Sequence, residues 1–227
     1  MSLIWIIFIG ISLLSWIVQA NLNRKFKKYS EIPVGGGMTG RDVAEKMLRD
    51  NGIYDVKVVS TPGHLTDHYD PRTKTVNLSQ SVYSSNSVAA AAVAAHECGH
   101  ALQHAHEYAP LQMRTALVPV VSFASRWMTW ILLGGLILFN TFPNLLLVGI
   151  ILYATTTLFS FITLPVEINA STRAIQWLEQ AGITTYETTP MAATALRSAA
   201  YTYVVAALAS LGTLIYYISI FMGGRRN

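Results

Sequence analysis

Four stretches of this chain, residues 3–20, 117–139, 144–164 and 201–222, are too long and too apolar to be surface helices of a soluble domain. A helix rises 1.5 Å per residue, so roughly 20 apolar residues cross the ~30 Å hydrocarbon core of a bilayer. The chain is therefore expected to be a mainly α, multi-pass membrane protein with the lipid bilayer as its first partner. Its balance agrees: hydrophobic residues make up 52% and charged residues only 12%, where soluble domains carry about a quarter charged. The net charge of +4 is small and forms no basic stripe interleaved with aromatics, which argues against a nucleic-acid partner.

The basic residues serve topology instead. No basic region precedes the run at 3–20, as a cleaved signal requires, and Arg24, Lys25, Lys27 and Lys28 follow it. It reads as an anchor, with the cluster held in the cytoplasm and the N-terminus outside. Residues 1–22 are thus the N-terminal transmembrane anchor and 23–110 a cytoplasmic part. Residues 111–164 form a transmembrane hairpin turning outside at 140–144, with Arg114 and Arg126 on its inner side. Residues 165–200 return as cytoplasmic helices, and 201–227 form a C-terminal apolar helix expected to span. Four spans leave Arg225 and Arg226 outside, so either the last run stops short or two terminal arginines do not set orientation. The expected location is the plasma membrane. Tryptophans and tyrosines near span ends, such as Trp16, Trp130 and Tyr201, suit its interfaces. The single cysteine, Cys98, rules out an intramolecular disulfide framework.

Between the first two runs lies a polar segment with local signals of its own. Thr39 with Asp42 three residues on makes a capping box for a helix over 40–50, which Asn51-Gly52 ends. Residues 53–60 alternate as a strand. Residues 65–69 and 74–79 flank Asp70-Pro71-Arg72-Thr73, the pattern of a small β-hairpin. Residues 87–107 are an alanine-rich helix with Asn86 or Ser87 as N-cap. Further on, 166–181 read as a separate helix stopped by Gly182, and Thr189-Pro190 opens another.

Inside the alanine-rich helix stands His96-Glu97-Cys98-Gly99-His100, an H-E-x-x-H pattern. Histidines at i and i+4 share a helix face and can reach one Zn2+ ion, and the glutamate beside the first can act as the base for water. Cys98 occupies an intervening position and reads as a small buried residue. A catalytic zinc needs a third protein ligand and one open position. Glu167, just past Pro165 where the chain leaves the membrane, is favoured. His106 has the spacing of H-E-x-x-H-x-x-G-x-x-H, but Gln103 stands where that pattern needs glycine to turn the chain. His104 extends the i, i+4 series on a face that has already drifted. Ser171, one turn after Glu167, is a candidate hydrogen-bond partner for a ligand histidine, or a packing residue like Ala170 and Ala174. Among His64, Asp67, His68 and Tyr69, the reading as hairpin turn chemistry stands ahead of an oxyanion-stabilising role for one of them. Arg173, two turns past Glu167, is a further substrate-side candidate.

The run LTDHYDPRTKTVNLSQSVYSSNSVAAAAVAAHECGHALQHAHEYAPLQMR, with the later LPVEINASTRA and AAYTYVVAALAS, resembles the bacterial YugP-type membrane zinc metallopeptidases over nearly the whole chain. The order of hairpin, H-E-x-x-H helix, apolar hairpin and glutamate-bearing helix is also similar to HtpX and Ste24-type membrane peptidases. The resemblance implies a zincin-like helix with the hairpin on the cytoplasmic side, Zn2+ on His96, His100 and Glu167, and Glu97 as catalytic acid and base. Its substrates would be proteins or peptides, membrane proteins among them. One departure stands out: the pattern E-x-x-A-D becomes Glu167-Ile168-Asn169-Ala170-Ser171, a hydroxyl in place of a carboxylate. The rival reading is a non-catalytic membrane scaffold or regulatory subunit with a structural or vestigial zinc site; Glu97 counts against the structural form, since a structural site has no use for a base.

Overall fold

The computed structural model describes residues 3–63 and 65–224. His64, Arg225 and Arg226 lie outside them. The elements in chain order are α1 (Leu3–Ser30), α2 (Gly40–Asp50), β1 (Lys57–Thr61), β2 (His68–Asp70), β3 (Thr75–Ser79), α3 (Gln80–Tyr83), α4 (Val88–Ala105), α5 (Ala109–Ile137), α6 (Pro143–Gln180) and α7 (Thr189–Gly224). Three helices among the described residues, α5, α6 and α7, are long and apolar enough to cross a membrane. The chain divides into two compact units.

The first unit takes residues 1–16, 112–164 and 202–227. Its interior is thin: Leu132, Leu146 and Ile150 are buried, with Tyr153, Tyr217 and Phe221 packed around them. Large side chains that water-soluble proteins bury stand exposed, including Trp130, Ile137 and Ile151. In lipid such side chains need no partner, and interhelical association relies on close packing and polar contacts instead. Gly135 lets the Leu146 backbone come within 2.6 Å of where a Cβ would sit. Thr157 and Ser210 join α6 to α7 through a 2.6 Å hydroxyl pair.

The second unit takes residues 17–111 and 165–201. Its core is built around α4, whose residues Val88 to Ala95 are all buried. Alanines on every side let neighbours approach closely: Val43, Ala44 and Met47 of α2, Val76 and Leu78 of β3, Ala174 and Leu178 of α6, and Ala195 and Leu196 of α7. The Thr39–Asp42 capping box of α2 forms as its sequence predicts. Ser87 caps α4 by accepting from the Ala90 N–H at 3.2 Å.

The hairpin expected at 65–79 forms as β2 and β3, antiparallel. The strand expected at 53–60 forms later, at 57–61, and pairs parallel with β3, giving a three-stranded mixed sheet in the order β1-β3-β2. Two further differences concern helix boundaries. Residues 166–181 are not a separate helix: α6 runs unbroken through Pro165 for 38 residues. A proline costs the ladder one N–H and crowds the carbonyl four residues back, a local penalty; the packing of Val166 and Glu167, both buried just beyond it, keeps the helix continuous. The alanine-rich helix stops at Ala105, before the expected 107, because Glu107 adopts φ 49. Gly182 ends α6 at φ 67, as its position implied.

Candidate metal centre

The histidines of the H-E-x-x-H pattern lie on one face of α4, their rings edge to face with centroids 4.8 Å apart. The turn of α6 carrying Glu167 packs against that face. His96 Nε2 lies 3.3 Å and His100 Nε2 3.6 Å from Glu167 Oε2. All three donor atoms lie within 4.8 Å of one another. Zinc bonds of about 2.0–2.1 Å at tetrahedral angles put ligand atoms roughly 3.4 Å apart, close to the two separations to Glu167; the wider spacing within the trio, up to 4.8 Å, would close by small side-chain shifts. The donor set, two imidazoles and one carboxylate, is also that of a catalytic zinc site.

Both ring Nδ1 atoms are engaged elsewhere, which turns the Nε2 atoms toward the centre. Ser171 Oγ lies 3.1 Å from His96 Nδ1, and Gln103 Oε1 lies 3.0 Å from His100 Nδ1. The hydroxyl standing in place of the expected carboxylate therefore still reaches His96, and Ser171 is a hydrogen-bonding residue rather than mere packing. The His100 imidazole feels opposing influences. Burial works against its charged form, but the hydrogen bond it donates to the Glu167 carboxylate and the charges of Glu97 and Glu167 together win, raising its pKa. Glu97 is buried beside His96, with 8% of its surface exposed.

What brings α4 and α6 so close is Gly99. A Cβ there would sit 2.7 Å from the Ala170 carbonyl oxygen and 3.1 Å from its Cα, both backbone atoms that cannot rotate away. Gly99→Ala is expected to destabilise the protein by about 1–3 kcal/mol, the cost of overpacking a tight contact. Because the displaced segment of α6 carries Glu167, zinc affinity should fall with it. Thermal unfolding and zinc titration of the one variant check both, and unchanged values in both would refute the close-contact argument.

The other sequence candidates sit apart from the donor group. His106 caps α4, with Nδ1 3.4 Å from Arg173 Nη1. Arg173 Nε donates to Asn169 Oδ1 at 2.8 Å. His104 Nδ1 pairs with the Tyr69 hydroxyl at 2.9 Å, and His68 Nδ1 lies 2.7 Å from the Thr66 carbonyl. Asp67 accepts from the Ser79 N–H at 2.7 Å and pins the hairpin. Cys98 is fully buried; burial and then the Glu97 charge push its thiol pKa far up. Three contributors escaped the sequence reading: Gly99, Gln103 and Asn169. Gln103 drew notice only as a missing glycine, although a fully polar side chain on the buried face of a helix is itself a signal.

A family model described as "Putative neutral zinc metallopeptidase" matches residues 4–222. The chain belongs to this family. It is also 43% identical over 212 residues to the "Putative membrane protease YugP" of Bacillus subtilis, covering 93% of each chain. No solved structure matches it. A zinc metallopeptidase family and a donor trio that fits zinc point to the same ion.

Proposed function

We propose that this chain is a membrane-embedded zinc endopeptidase that hydrolyses peptide bonds near the cytoplasmic face of the membrane. The observation that carries the reading is the convergence of His96, His100 and Glu167 on one point, with Glu97 next to the first of them. His96, His100 and Glu167 would hold the ion in a zincin-like arrangement. Bound zinc supplies a Lewis acid that polarises the scissile carbonyl and brings the pKa of water to about 7. Glu97 accepts the proton that the attacking water gives up. It then delivers that proton to the amide nitrogen as the C–N bond breaks, and the second proton of the water follows from the new carboxyl group to the amine, so the products leave as a carboxylate and an ammonium group. Ser171 and Gln103 hold the two imidazoles in orientation throughout.

Two features support a peptide as the substrate. Among the described residues β2 is an edge strand of the sheet, the kind of position to which an extended chain can add. A cleft of about 580 Å³, lined by Phe26, Leu65, Asp67, Val82 and Val93, runs along α4, and Val93 is one turn before His96. Phe26 and its neighbours follow the N-terminal apolar run, which supports substrates tethered in or emerging from the bilayer. The basic cluster from Arg24 to Lys28 supports the cytoplasmic orientation.

The test is hydrolysis by the purified wild type, with and without chelator, on membrane-tethered and soluble versions of one peptide. Expected results are chelator-sensitive cleavage restored by zinc and a preference for the tethered form. A stoichiometric zinc protein that cleaves neither form refutes the peptidase reading. Equal cleavage of both refutes the membrane-substrate part alone.

Acid is expected to weaken the site. Zinc must replace the proton on His100, and the raised pKa of that ring means it holds a proton to higher pH than free imidazole. Zinc affinity should therefore fall by about tenfold per pH unit once the pH is below that raised value. Metal titrations at pH 6 and pH 8 check the sign, and equal affinities would contradict it.

A further inference from the structure

We infer that Gln103 is a positioning residue that dictates which nitrogen of His100 faces the metal. Gln103 has no exposed surface, so its amide must be satisfied by the protein. Gln103 Nε2 lies 2.8 Å from the Val166 carbonyl oxygen and 3.0 Å from Asn169 Oδ1. A backbone carbonyl only accepts. Asn169 Oδ1 is in turn identified as the oxygen of its amide because Arg173 Nε, which only donates, points at it from 2.8 Å. Two acceptors therefore converge on one atom of the Gln103 amide, and that atom has to be the NH2.

The remaining amide atom, 3.0 Å from His100 Nδ1, is then the carbonyl oxygen. An oxygen there requires a hydrogen on Nδ1. The Glu167 carboxylate competes for a hydrogen on Nε2, but from 3.6 Å, beyond good hydrogen-bond distance, so the closer amide oxygen holds the one proton of the neutral ring on Nδ1 and leaves the Nε2 lone pair directed at the group formed with His96 and Glu167. The order of causes runs from the α6 backbone, through an amide that cannot flip, to the tautomer of a ligand on α4. The same side chain fixes register: it ties His100 to the carbonyl of Val166, the residue immediately before Glu167. Ser171 imposes no such constraint on His96, because a hydroxyl can donate or accept.

This role rests on the zinc reading of the site, but its decisive readout does not. Nitrogen-15 chemical shifts of histidine-labelled, metal-free wild type, taken at a pH where the ring is neutral, report which nitrogen of His100 carries the proton. The expected result is Nδ1–H for His100. A proton on Nε2 in the wild type overturns the inference outright, whatever any variant does. In Gln103→Leu, a close match in volume, the His100 signal should shift toward the other tautomer, and zinc affinity should drop by about 10–100-fold. A folded Gln103→Leu with wild-type zinc affinity overturns the positioning role. Zinc-loaded wild type that shows Nδ1–H but hydrolyses no peptide refutes the proposed reaction and leaves the positioning role standing. Failure of the wild type to bind zinc at all refutes both.

Discussion

Glu97→Gln is expected to end peptide hydrolysis while zinc stays bound. Glutamine matches glutamate in size and keeps one carbonyl oxygen, but it carries no charge and cannot accept a proton. His96, His100 and Glu167 are untouched, so the donor trio and its spacing persist. A positioned acid–base group is worth about 10²–10⁴-fold in rate, and the loss should fall at or beyond the upper end because the same group serves in both proton transfers. The measurement is zinc content by elemental analysis beside kcat on a tethered peptide. Full zinc with activity lost is the expected pair. Full zinc with unchanged activity would remove Glu97 from the reaction and leave the structural-zinc scaffold as the better account. Loss of zinc would mean that Glu97 itself sits in the metal's coordination sphere.

Glu167→Ala is expected to lose the metal. Its carboxylate oxygen lies 3.3 and 3.6 Å from the two imidazole Nε2 atoms, and it is the one donor of the trio on α6. Two histidines alone leave zinc two protein ligands short of the closed set and one short of a catalytic site. Affinity should fall by more than the ~10–100-fold that outer partners cost, and activity with it. Glu167 also supplies the hydrogen bond that helps hold His100 in its charged form. Its removal should therefore lower the His100 pKa in the metal-free protein, visible in the same histidine spectra. If Glu167→Ala keeps its zinc, another residue is the third ligand. His106, the alternative by spacing, is held at the α4 C-terminus against Arg173.

The two variants probe different levels of the argument. Glu97 was legible from the pattern alone, because a helix carries residue i+1 beside residue i whatever the rest of the fold does. Both histidines were legible for the same reason: the i, i+4 spacing is a property of helix geometry, and the alanine-rich run made the helix certain. Local rules worked equally well for the Thr39–Asp42 box, the Ser87 cap and the Gly182 stop, each of which is decided within four residues. They failed at Pro165, where the expected break did not occur. A proline penalises a helix locally, but the buried packing of the residues that follow it, Val166, Glu167 and Ala170, outweighs that penalty.

The parallel pairing of β1 with β3 was also out of reach. Parallel strands are joined by a crossover, here one that contains β2, and nothing in a strand's own residues names a partner across such a gap. Gly99 and Gln103 show the same limit at the site. In the sequence one is an intervening residue of a motif and the other breaks a different motif. Each acquires its meaning only when α6 lies against α4.

From the sequence alone came three of the apolar helices long enough to cross a membrane, the pair of histidines on one helix face, and the ion they suit. These follow from composition and from the repeat of a single helix, which any context preserves. The sequence favoured Glu167 among the candidate third donors, but only the tertiary structure set its oxygen 3.3 and 3.6 Å from the two imidazoles. The tertiary structure also decided that Ser171 and Gln103 take the two Nδ1 atoms, and that a missing side chain at Gly99 sets the approach of the two helices. The physical reason is separation along the chain: the donors come from segments about 70 residues apart, and their meeting depends on the packing of whole helices, which no local pattern records.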